Sequence, residues 1–363
     1  MRRRAWLTRC WAILAAAGLR PVFAQGVRPR TLVFPADFGS HDDTRIEWWY
    51  VTGTLEAGAL RHGFQVTFFR SKGEVDAAHP SRFAARQLLF AHAAVTDMQA
   101  RRLRHDQRIA RAGFGIAEAA GADTRVKLRD WHLTRDLTRE AGAASRYRAA
   151  AQSEAAGFAF DLSLAATQPL LLQGDAGFSR KGPSPAHASH YYSEPQLQVT
   201  GTLSLDGRAA PVTGRAWLDH EWSDALLPDG AVGWDWIGMN LADGAALTAF
   251  RLRRADGSMV WAGGSHRPAG GAVRAFAADE VRFMPKRSWT SPATRAVYPV
   301  EWDVTTPAGS FQVRARLDAQ ELDSRGSTGS VYWEGTSDLL DAAGRVVGGG
   351  YLEMTGYAGR LKL

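Results

Sequence analysis

Several absences narrow the chemistry open to this chain. Its 363 residues hold a single cysteine, Cys10, close to the N-terminus. Once the leader described below is removed no thiol remains, which excludes disulfides, cysteine metal sites and a cysteine nucleophile. No apolar stretch reaches the roughly 20 residues that a membrane-spanning helix needs. No long amphipathic helix with capping residues can be traced. A Gly-x-Ser-x-Gly elbow is missing, so nothing anchors a serine triad. The glycines at 263–264 and 348–350 precede no helix, which makes them bulges or turns rather than phosphate loops. His187 and His190 lie in a Pro/Ser-rich loop, with His92 and His220 elsewhere. They show no repeated ligand spacing, and no metal is expected.

The N-terminus reads as an export signal. A basic start at residues 1–4 is followed by a short apolar run and by Val22-Phe23-Ala24, so cleavage after Ala24 is expected. Arg3-Arg4 gives a loose twin-arginine pattern. The leader carries five arginines and no acid, so the formal charge of +7 falls to about +2 in the mature chain. Nothing then argues for a nucleic-acid partner, and the protein is expected to be periplasmic or secreted.

What is present in excess is tryptophan, thirteen in all, four of them within 216–236 (AWLDHEWSDALLPDGAVGWDW). That stretch interleaves Asp219, His220, Glu221 and Asp235 with aromatics. Acids and a histidine among indoles are costly to bury unless they pair or do chemistry. Elsewhere, many short runs rich in β-branched and aromatic residues alternate in polarity. In 158–165, Phe160, Leu162 and Leu164 are interleaved with Asp161 and Ser163. Turn pairs such as Asp206-Gly207 and Asp243-Gly244 separate the runs. An all-β sandwich or barrel follows.

An internal repeat sharpens this. Residues 48–58 (WWYVTGTLEAG) align with 234–244 (WDWIGMNLADG), and 66–70 fall on 247–251. Residues 201–205 align with 335–339, and 212–219 with 346–353, which sets Asp219 on Glu353. Two related barrels are expected, at 25–228 and 229–363, with 223–232 as the linker. A barrel of about eight strands leaves room for one small ligand. Alternation from Trp217 puts Asp219 and Glu221 on one face and His220 and Trp222 on the other. An acid at 219 recurs in the repeat, whereas His220, Glu221, Trp222 and Asp235 do not. A polar network that merely fixes the linker is the competing explanation for this cluster.

The blocks at 47–53 (EWWYVTG), 190–193 (HYYS), 216–222 (AWLDHEW), 233–236 (GWDW), 298–302 (YPVEW), 332–335 (YWEG) and 350–357 (GYLEMTGY) carry a family likeness. The chain resembles the lipocalin-like proteins grouped with carotenoid 1,2-hydratase (hydroxyneurosporene synthase) and the AttH proteins, the secreted AttH-like branch above all. The resemblance implies two calycin-type barrels and an apolar isoprenoid, carotenoid or lipid ligand. It also implies cofactor-free hydration of a C=C bond, which needs a general acid, aromatic faces for a cation and a positioned water. By resemblance Asp219 or Asp235 is the acid and His220 tunes it or activates water. Trp222, Trp234 and Trp236 face the cation, with Glu221, Trp49, Tyr50, His190, Tyr191 and Tyr192 around the ligand. The AttH branch implies an alternative, a non-catalytic lipid-binding partner of an ABC-type export system.

Overall fold

The computed structural model describes residues 26–76, 78–136 and 144–361. The expected leader, with Cys10 and the cleavage site, lies outside them. The described chain is all-β apart from one short 3-10 turn at Ala36–Phe38. No helix among the described residues is long and apolar enough to cross a membrane.

The first half supplies β1 (Ile46–Ala57), β2 (Leu60–Lys72), β3 (Gln87–Asp97), β4 (Arg102–Arg111), β5 (Ala117–Ala119) and β6 (Arg125–Leu128). It continues with β7 (Trp131–Arg135), β8 (Arg146–Ser153), β9 (Phe158–Ala165), β10 (Leu171–Leu172), β11 (Phe178–Arg180), β12 (Ala188–Leu205) and β13 (Arg208–Ser223). These form one antiparallel sheet in the order 4-3-2-1-13-12-9-8-7-6-5, with β10 and β11 added to β12. The sheet rolls into a nearly closed barrel. Its end strands approach through the Gly113–Ala117 bridge. Arg104 on β4 reaches across the gap to both carboxylate oxygens of Asp206, each at 2.6 Å, and to the Gly157 carbonyl at 3.1 Å. Inside lie Val51, Phe64, Trp131, Leu162 and Leu218, all fully buried.

The second half supplies β14 (Gly233–Leu241), β15 (Ala246–Arg253), β16 (Met259–Arg267), β17 (Arg274–Phe276), β18 (Arg282–Pro285), β19 (Ser288–Thr290) and β20 (Val297–Pro299). β21 (Glu301–Thr306), β22 (Gly309–Ala315), β23 (Glu321–Ser324), β24 (Ser330–Leu340) and β25 (Val346–Met354) complete it. The sheet order is 17-16-15-14-25-24-22-21-18, with β23 added to β24. The expectation of two closed barrels needs correction here. The end strands β17 and β18 are three and four residues long and do not pair, so this sheet curls around its own core but stays open. That core centres on Ile237, Trp302, Trp333 and Leu352.

The two halves share the ladder 3-2-1-13-12 against 16-15-14-25-24. Strand register fixes the correspondence. Tyr50 pairs with Asp219 as Trp236 pairs with Glu353, so the expected match of the closing strands holds. The other matches shift. Trp48 faces Phe69 and Trp234 faces Leu252, which puts Phe69 on Leu252, two residues beyond the sequence alignment. Gly214 pairs with Val199 and Gly348 with Leu339, so residues 201–205 do not correspond to 335–339. The closing hairpin of the first half runs longer beyond these positions, with 15 residues from Val199 to Gly214 against 9 from Leu339 to Gly348, and apolar alternation alone could not see that offset.

The sheets pack against each other through Tyr50, Trp217, Trp236, Ala246, Phe250 and Tyr351. Polar cross-bonds pin the contact. Gln196 N donates to Asn240 Oδ1 at 2.8 Å, Gln65 Nε2 to Glu334 Oε2 at 2.8 Å, and Ser265 Oγ to Gln173 Oε1 at 2.7 Å.

Candidate functional site

A cavity of about 110 Å³ lies between the two sheets. Its walls are built from equivalent positions of the halves. Trp48, Tyr50, Phe69 and Asp219 come from one sheet, and Trp234, Trp236, Leu252 and Glu353 from the other. Tyr191 and Tyr332 are a further matched pair, because Ser193 faces Asp219 as Glu334 faces Glu353. The alternation that the sequence predicts from Trp217 is observed: Asp219 and Glu221 line this cavity, while Trp222 packs inside the barrel. The face in question looks toward the other sheet rather than into a barrel.

Four carboxylates enter this aromatic space: Asp219, Glu221 and Glu334, each at most 6% exposed, and the half-buried Glu353. Asp219 accepts from Ser193 Oγ at 2.5 Å, Trp217 Nε1 at 2.6 Å and Tyr191 Oη at 2.9 Å. Burial pushes its carboxyl up to about 7 against the pull of those three donors, and the Glu221 charge adds to the rise. Burial likewise raises Glu353 to about 7, with the charges of Asp219 and Glu221 contributing. Glu334 is raised well above the usual carboxylate range by burial and by Glu353. Among the described residues Glu334 Oε1 and Tyr50 Oη have no hydrogen-bond partner. Glu221 differs: Ser189 Oγ donates to it at 2.5 Å, and Lys181 Nζ lies 2.9 Å away, itself over the rings of Tyr191 and Phe250.

Other expected site residues lie elsewhere. His220 is fully buried at the barrel end, where Nδ1 accepts from Tyr192 Oη at 3.0 Å and Nε2 donates to Glu47 Oε1 at 2.9 Å. Trp49 stacks on its ring at 4.6 Å, and Trp222 stacks on His41 at 3.7 Å. His190 lies beside Trp222. Glu47 also accepts from His41 Nδ1 at 2.7 Å and from Arg70 Nε at 2.7 Å. Burial alone would raise the Glu47 carboxyl, but His220, His41 and Arg70 hold it well below the usual range. Burial drops His220 to about 4.

His41, Glu47 and His220 bring ligand atoms within 4.8 Å of one another. However, His41 Nε2 also bonds Asp37 at 2.9 Å, so both its ring nitrogens face carboxylates. Burial opposes the charge on His41, yet Asp37 and Glu47 raise its pKa overall. Both ring nitrogens of His41 are thus already engaged by carboxylates, and the donor set fits an ion-pair network rather than a metal. Asp235 is also outside the cavity. It faces the second sheet's interior, held by Arg251 Nε at 2.7 Å and Tyr357 Oη at 2.8 Å.

The structure therefore brings together Asp219, Glu221, Tyr50, Tyr191, Trp234 and Trp236. It gathers His220, Trp222, Trp49, Tyr192 and His190 at the barrel end, and leaves Asp235 apart. Sequence reasoning missed Lys181, Tyr332 and Glu334, and treated Glu353 as architecture. The Tyr191–Tyr332 correspondence was hidden by the irregularity in β12 between Glu194 and Leu197. A larger groove of about 850 Å³ lies beyond Trp217, lined by residues such as Thr52, Gln196, Arg215 and Gly348, and it holds no buried acid.

No curated protein sequence matches the chain. Among solved structures, an AttH-type protein of Nitrosomonas europaea is 48% identical, covering 91% of this chain and 98% of its own, with a TM-score of 0.83. Kievitone hydratase of Nectria haematococca shares the fold at 15% identity and a TM-score of 0.67, covering 91% and 94%. The complex of CghA with Sch210972 does so at 13% identity and 0.55, covering 87% and 90%. The AttH-like family model matches residues 25–357, and the chain belongs to the AttH-like family.

Proposed function

We propose that the cavity between the sheets binds an apolar, isoprenoid- or lipid-like ligand and adds water across one of its C=C bonds. The observation that carries this reading is the pair Asp219 and Glu353, each raised to about 7 among indole and phenol rings. Burial raises both, and the Asp219 charge is among the causes that raise Glu353, so a state with one of the two protonated is favoured near neutrality, which supplies one acid and one base. Asp219 gives its proton to one alkene carbon. The cation that forms on the other carbon faces Trp48, Trp234 and Trp236. Water attacks that cation and passes a proton to Glu353, so the net change is addition of H and OH with no cofactor. Return of that proton to Asp219 resets the pair.

His220 and Asp235 act as structural anchors in this scheme, since each is locked in an ion-paired network outside the cavity. The kievitone hydratase neighbour illustrates that the fold can house water-adding chemistry and carries nothing further to this chain. Export to the periplasm or beyond and a division of the chain near residue 228 belong to the same proposal.

Incubating the protein with terminal isoprenoid alkenes in ¹⁸O-water tests it. The expected result is a tertiary alcohol carrying the label, with quenching of tryptophan fluorescence on binding. Quenching without any labelled product would leave the non-catalytic lipid carrier, partnered with an export system, as the better account. Absence of both would remove the cavity as the ligand site.

A further inference from the structure

Outside the cavity, two loop tips of the first sheet carry an apolar patch ringed by arginines. Phe83 is 65% exposed and Phe114 52%, and their rings stack at 5.3 Å. Arg111 lies 4.9 Å over both rings, and its guanidinium donates to the Phe83 carbonyl at 2.6 Å. Ile109 and Ile116 extend the patch, each over 40% exposed. The backbone holds Phe114 outward at a cost. Its φ is +58°, between Gly113 and Gly115 that are also left-handed. A phenylalanine in that region is strained. Here the strain sustains exposure of an apolar ring rather than its burial.

The charge around the patch is predominantly basic. Arg82, Arg86, Arg111 and Arg129 enter no ion pair among the described residues. Arg129 is tied to the patch by its N–H bond to the Ile116 carbonyl at 2.7 Å. The nearby acids Asp130 and Glu118 are already taken by Arg108 and Arg125.

We infer that this patch docks the protein on an anionic lipid surface. Phe83, Phe114, Ile109 and Ile116 enter the headgroup boundary, and the four arginines meet lipid phosphates. A second copy of the chain is disfavoured as occupant, because it would bring four more arginines against these. The inference is independent of the hydration reading.

Co-sedimentation with phosphatidylcholine vesicles, with and without phosphatidylglycerol, tests it. Binding is expected only with the anionic lipid and falls with added salt. The double change Phe83→Ser with Phe114→Asn should weaken it by about tenfold or more. Asparagine suits the left-handed position, so folding is retained. Each of Arg82→Gln, Arg86→Gln and Arg129→Gln should weaken binding about fivefold. Failure to bind anionic vesicles, equal binding to phosphatidylcholine alone, unchanged binding by the double variant, or capture only by an acidic protein would each overturn the inference.

Discussion

Asp219→Asn is expected to cut hydration of a terminal isoprenoid alkene by about 10²–10⁴-fold, the usual contribution of a positioned proton donor. Ligand affinity should change far less, because the amide keeps the volume and most of the polarity of the carboxyl. The effect follows from geometry. Three donors already point at Asp219, from Ser193, Trp217 and Tyr191, so the side chain is fixed rather than free to be replaced by a neighbour. Glu353→Gln should lose activity too, from the base side of the pair. By contrast His220→Gln and Asp235→Asn disturb ion-paired anchors first, and should report on stability before turnover. Equal losses in all four variants, tracking their melting temperatures, would reduce the cavity acids to architecture.

Glu47→Ala should destabilise the fold by about 3–5 kcal/mol in urea unfolding, the usual penalty for stranding a buried partner. Arg70 has a side chain only 1% exposed and would lose its carboxylate, while His41 and His220 would lose an acceptor. The same network sets a pH dependence. Glu47 and Asp37 are held below their ordinary values when folded, so their stabilisation is present above the unfolded pKa and is lost as pH falls. His220, lowered to about 4 by burial, acts in the same direction between its unfolded pKa of 6.5 and 4. His41, raised when folded, works the opposite way and loses its contribution as pH climbs through its raised value. Within this network three groups oppose one, so its contribution is lost on acidification, most steeply below about pH 4, whereas Asp219 and Glu353, raised to about 7, work the opposite way between about pH 7 and 4. Glu47→Ala should flatten that loss. A loss under about 1 kcal/mol would show that the barrel end is held by packing instead.

Much of the fold was legible because apolar alternation is a direct record of burial. Phe160, Leu162 and Leu164 point into the barrel as their spacing requires. β4 was not legible: RLRHDQRIAR is a polar edge strand, and its charges serve the sheet margin rather than a core. The stretch 112–120, which shows no alternation of apolar and polar residues, holds a turn and the three-residue β5. In the site, alternation correctly separated Asp219 and Glu221 from His220 and Trp222. It could not say that the shared face meets another sheet, because nothing in a single strand records what packs on it. Tyr332 and Glu334 needed strand register, and the left-handed Gln196 at the β12 irregularity broke the pattern that would have exposed them.

The central claim is that a cavity carboxyl holds its proton near neutrality. Infrared spectroscopy of the protonated carboxyl C=O band, titrated with pH, addresses it without any substrate. The account predicts a band that titrates near pH 7 and is lost in part in Asp219→Asn and in part in Glu353→Gln. A spectrum with no protonated carboxyl above about pH 5, where ordinary carboxyls are already ionised, would contradict it.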